Sequence, residues 1–96
     1  MGACTFYTTE KGKTAEEAFR RAVAQARHEY GYGGYSGTIA EKSKFKVIPC
    51  PKDKAPMEHA DELLENDDPR MNDKWGPAGC IETDDGKYLF FGWASS

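Results

Sequence analysis

The chain has 96 residues, enough for one domain around one modest core. Hydrophobic residues make up 39% and aromatic residues 12%, which excludes a wholly disordered chain. A net charge of −3 and a pI near 5.3 exclude a general polyanion binder. Residues Ala3 to Thr9 are rich in β-branched and aromatic side chains and read as a strand, followed by a polar turn from Glu10 to Lys13. Thr14 suits a helix N-cap, and Glu17 three residues on completes a capping box. Ala15, Ala18, Phe19, Ala22, Val23, Ala26 and Tyr30 then recur on one helical face, with Glu16–Arg20 and Glu17–Arg21 spaced as i,i+4 pairs. Gly31 suits the C′ position, where positive φ is favoured.

The segment Thr38 to Ile48 alternates and reads as a strand with Ile39, Phe45 and Val47 on one parity. Lys42, Lys44 and Lys46 fall on the other parity, and Glu41 on the apolar one predicts a bend or bulge. Pro49 and Pro51 end that strand. A second helix is expected from Pro56, with Met57, Ala60, Leu63 and Leu64 inward and Glu58, Asp61, Glu62 and Glu65 outward. Asn66-Asp67-Asp68-Pro69 stops it, and Arg70 to Pro77 reads as loop. Two strands, Ala78 to Thr83 and Lys87 to Ala94, flank the Asp-Gly turn signal Asp84-Asp85-Gly86. The last strand is apolar on both faces, as a central strand under helices would be. The expected fold is therefore α+β, a single domain over residues 1–96 in the order β-α-β-α-β-β. Two helices pack on a mostly antiparallel four-stranded sheet. The last strand or the lysine-faced strand is available for pairing across a dimer.

Cys4, Cys50 and Cys80 are odd in number and widely spaced, unlike the dense, even framework of a secreted mini-protein. The expectation is reduced thiols in a cytoplasmic protein. The N-terminus has no basic stretch leading into an apolar run, and no segment approaches about 18 apolar residues, so no membrane partner is expected.

Three groups of residues are candidates for binding. The loop Tyr30-Gly31-Tyr32-Gly33-Gly34-Tyr35-Ser36-Gly37 concentrates tyrosine and glycine. Tyr32 and Tyr35, together with Trp75, could present flat apolar anchors to a partner, because tyrosine adds contact area at little entropic cost. The competing reading has Tyr30 finishing the helix stripe, the other tyrosines covering a sheet edge, and Trp75 lying over the core. The acidic run with Glu62, Glu65, Asp67 and Asp68 could imitate a phosphate backbone or complement a basic surface, or simply be a solvated helix face. The row Lys42, Lys44 and Lys46 could hold phosphates, with Tyr32 and Tyr35 stacking on single-stranded bases, or could serve only as edge protection.

Catalytic and metal chemistry find little in the residues. His28 and His59 stand in no ligand spacing, no Cys-x-x-Cys occurs, and a dyad of Cys50 or Cys80 with His28 would depend on the fold. No cofactor, no metal and no catalysis are expected.

The stretches His28 to Lys42, Asp73 to Cys80 and Tyr88 to Ala94 resemble a group of small uncharacterised proteins of bacteria and their phages, to which no established activity attaches. By analogy with mobile-element proteins of this type, the resemblance implies a non-catalytic inhibitor of a host defence complex, anti-CRISPR proteins included. Its partner would be a host protein or protein complex.

Overall fold

Alternation, capping and turn chemistry meet in a computed structural model that describes residues 3–30, 39, 42–66, 76–83 and 86–95. Six elements follow in order: β1 (Ala3–Lys11), α1 (Ala15–Tyr30), β2 (Phe45–Val47), α2 (Pro56–Glu65), β3 (Ala78–Glu82) and β4 (Lys87–Ser95). The four strands form one mixed sheet in the order β1-β4-β3-β2. β4 runs antiparallel to both neighbours, whereas β2 pairs parallel with β3. The α+β fold, the element order and the mostly antiparallel sheet agree with the expectation.

α1 begins where the cap predicts. The backbone N–H of Glu17 donates to Thr14 Oγ1 at 3.1 Å. Glu17 does not return the bond but pairs with Arg21 at 3.0 Å, and Glu16 pairs with Arg20. α2 starts differently. Ala55 holds an extended backbone at the N-cap and offers no side-chain acceptor, so Pro56 in the first turn is what favours initiation. At its other end the N–H of Asn66 bonds back to Glu62 and Leu64.

The two helices lie on opposite faces of the sheet. Phe6, Cys80, Phe90 and Ala94 share a core with Ala18, Phe19, Ala22, Val23 and Ala26 of α1. The alternate residues Ile81, Leu89 and Phe91, with Ile48, meet Ala60, Leu63 and Leu64 of α2. The arrangement follows from the crossovers. The β1-α1-β2 connection travels along the sheet in one direction and β2-α2-β3 returns in the other, so a common handedness puts their helices on opposite sides. β4 is thus buried on both faces, with Phe90 and Phe91 each 0% exposed. Gly79 makes room for this. A Cβ there would lie 2.6 Å from the Phe91 ring. The β3–β4 turn is closed by bonds from Thr83 N–H and Oγ1 to the Lys87 carbonyl, with Gly86 at φ +76°.

Four expectations change. β1 continues through Glu10 and Lys11, because Tyr88 and Lys87 of β4 pair with residues that read as a turn. β2 covers three residues rather than the whole alternating run, and Val47 is exposed at the sheet edge. Met57 is exposed in the first turn of α2, on the flank of the stripe that Ala60, Leu63 and Leu64 define. The last strand is central and paired on both sides, so it has no edge left for a dimer.

Candidate macromolecule-docking surface

The outer face of α2 carries the described acidic candidates, Glu62 and Glu65. Glu58, Asp61, Glu62 and Glu65 all point to solvent, and the helix carries no lysine or arginine. Two of these carboxylates are held by donors from outside the helix. The Lys54 ammonium bridges to Glu62, and that bond raises the lysine's pKa and lowers the carboxyl's. The Tyr7 hydroxyl donates to Asp61 Oδ1 at 2.6 Å, tying β1 to α2. Burial, and then this bond, push the Tyr7 phenol up to about 12. Glu58 and Glu65 have no hydrogen-bond or ion-pair partner among the described residues.

Both helices carry acid in their first turn, and they differ at their C-terminal ends. α1 carries Glu16 and Glu17 in its first turn and Arg27 and His28 beside Glu29 in its last, so basic residues outnumber the acid at the negative end of the dipole. α2 ends on Glu62 and Glu65 with no basic residue in its last turn, so these charges meet the negative end of the dipole.

The lysines do not form one row. Lys42 is 3% exposed, and its ammonium donates to the Gly76 carbonyl at 3.0 Å. Lys44 and Lys46 remain exposed, but only Lys46 lies in β2. The alternating pattern suggested a shared solvent face; the strand begins only at Phe45, so Lys42 lies outside it and turns inward. Beside Lys44, a groove of about 420 Å³ runs between α1 and the start of β2, lined by Glu16, Phe19, Arg20, Ser43 and Phe45. Sequence reading missed this groove because its walls lie more than twenty positions apart in the chain.

Tyr32, Tyr35, Trp75, Asp67 and Asp68 lie outside the described residues, as do Gly31 and Glu41. The described candidates for catalysis are dispersed. His28 is exposed on α1 and His59 half-buried on α2, on opposite sides of the sheet. Cys80 is fully buried beneath α1, and burial pushes its thiol up to about 12, which leaves a poor nucleophile. The Cys50 thiol donates weakly to the carbonyls of Pro51 and Lys54. No group of three or more His, Cys, Asp or Glu with metal-binding geometry occurs among the described residues. No described helix is long and apolar enough to cross a membrane. No family model, curated protein or solved structure matches the chain.

Proposed function

We propose that this protein is a non-catalytic docking module whose acidic α2 face binds a basic surface on a partner macromolecule. The observation that carries the reading is the charge placement on α2. Glu62 and Glu65 sit where the helix dipole disfavours them, and Glu58 and Glu65 have no partner among the described residues. Glu65, a carboxylate unpaired among the described residues and at the negative end of the helix dipole, suits a surface that a partner completes. Tyr7 and Lys54 orient Asp61 and Glu62 from the sheet and the preceding loop, so the carboxylates stand on a braced scaffold. Tyr32, Tyr35 and Trp75 would add apolar anchors, and Asp67 and Asp68 would extend the charge. On the resemblance to bacterial and phage proteins, the partner would be a host complex that handles nucleic acid, with the carboxylates occupying its phosphate-binding groove. Such an inhibitor would work in the manner of anti-CRISPR proteins.

The test is a pull-down from host lysate at low and moderate salt, with and without nuclease. It compares the natural chain with Glu58→Lys/Glu65→Lys. A discrete protein partner should survive nuclease, weaken with salt and disappear with the charge reversal, while the melting temperature does not fall. Equal capture by both chains would overturn the reading.

A second reading has one specific observation behind it, the α1–β2 groove with Lys44, Arg20 and the rings of Phe19 and Phe45. That groove could hold a single nucleic-acid strand. It predicts oligonucleotide binding that falls steeply with salt and is lost in Lys44→Glu.

A further inference from the structure

The two edges of the sheet are not equally protected. β2 is three residues long, flanked by Lys44 on one side and by Pro49 and Pro51 on the other, and contains Lys46. Short length, lysine and proline are the usual means of keeping an edge from pairing. β1 has only Lys11, at its far end. It runs nine residues, pairs with β4 in an unbroken register without a bulge, has no proline, and carries no charge from Ala3 to Thr9. Among the described residues its other side has no strand neighbour. An edge of this kind presents a row of backbone donors and acceptors to any strand that can lie against it.

We propose that the strand that lies there is β1 of a second copy, in a symmetric antiparallel pair that joins the two sheets into one. The strand is complementary to itself. Centring the pair on Tyr7 overlaps all nine residues of both chains. Thr5 then faces the partner's Thr9, Phe6 the partner's Thr8, Cys4 the partner's Glu10 and Ala3 the partner's Lys11. No like charges stand opposite one another, which is the condition such a ladder needs.

The helices fit the same axis. An antiparallel strand pair of this symmetry has its two-fold perpendicular to the sheet, so both copies of α1 lie on one face. α1 packs over β1 and β4. With strands about 4.8 Å apart, the two α1 axes come to roughly 10 Å, an ordinary helix-packing distance. The flank of α1 on the β1 side lines a groove of about 410 Å³ with Phe6, Thr8, Glu10, Ala22, Gln25 and Glu29. Arg21 lies one turn before Gln25 and Glu29 one turn after it. If the antiparallel helices meet at Gln25, Arg21 comes to the partner's Glu29, and each would exchange or share its present partner, Glu17 and Gln25. The dimer would carry two acidic α2 helices on the opposite face, but the argument for it does not use them.

Sedimentation from low micromolar to about millimolar chain tests the pairing. The natural protein should dimerise. Thr5→Lys/Thr9→Lys puts like charges opposite across the seam twice, and should weaken the dimer at least about tenfold. Thr5→Lys/Thr9→Glu puts unlike charges there and should keep it. Both residues are exposed in the single chain, so circular dichroism should show all three folded. A natural chain that stays monomeric throughout overturns the proposal and leaves the edge to some other chain's strand. A dimer indifferent to Thr5→Lys/Thr9→Lys, or one lost equally in both variants, overturns it as well.

Discussion

The two helices of this protein are built to different rules. α1 is capped by Thr14, braced by two i,i+4 ion pairs, acidic in its first turn and mainly basic in its last. α2 has no side-chain cap, and its last turn is acidic with no basic residue. Both bury an apolar stripe against the same sheet, on opposite faces. The difference therefore lies on their outer surfaces. α1 looks after its own stability, whereas α2 relies on the sheet and leaves its exposed charge for something else.

Core truncation should affect both helices heavily and thus mark what they share. The Phe19 ring centroid of α1 lies 5.0 Å from that of Phe45, tilted, and 5.5 Å from that of Phe90, edge-on, and Phe19→Ala should cost about 4 kcal/mol. Leu64 is 5% exposed on the other face, and Leu64→Ala should cost about 3 kcal/mol. Urea denaturation reads both, and a loss below about 1 kcal/mol at either site would mean that its helix is not docked as described.

Capping should separate the helices by sign. Thr14→Ala removes the acceptor for Glu17 N–H and should destabilise by about 1 kcal/mol. Ala55→Asp supplies an acceptor at an extended N-cap that lacks one and should stabilise by about 0.5–1 kcal/mol. Two changes of the same sign would contradict the contrast.

Tyr7 is the strut between β1 and α2, and Tyr7→Phe should cost about 0.5–1 kcal/mol. Its pH dependence has a definite direction. The folded protein holds the phenolic proton more tightly than the unfolded chain, from an ordinary value of 10.0 up to about 12. The contribution is complete below pH 10 and is lost as pH rises towards 12. Melting curves across that interval should fall more steeply for the natural chain than for Tyr7→Phe.

The smallest effect is the most diagnostic. Glu65→Lys in the last turn of α2 should raise stability by about 0.3–1 kcal/mol, whereas Arg27→Glu in the last turn of α1 should lower it by a similar amount. If Glu65→Lys also abolishes partner capture, stability and binding are opposed at one residue. A destabilised Glu65→Lys would remove the argument from charge placement.

Much of this was legible residue by residue. Thr14 and Glu17 announced the start of α1, and the spacing of Ala18, Phe19, Ala22, Val23 and Ala26 announced its buried face. Tyr88 to Trp93, apolar on both parities, already described a central strand, and Asp85-Gly86 a hairpin. The acidic side of α2 could be read from Glu58, Asp61, Glu62 and Glu65 for the same reason. Capping, periodicity and turn conformation act over a few neighbouring residues, so the local chain determines them.

What only the tertiary structure decided is everything that depends on which segments meet. β2 covers only Phe45–Val47 although β3 runs on to Glu82, and before the strand begins Lys42 turns inward to Gly76. Glu10 and Lys11 are strand because β4 reaches them. The helices part to opposite faces because their crossovers run in opposite directions, and β1 rather than the last strand becomes an open edge. Each of these outcomes is set by hydrogen bonds and packing between residues tens of positions apart, whose pairing no local pattern specifies.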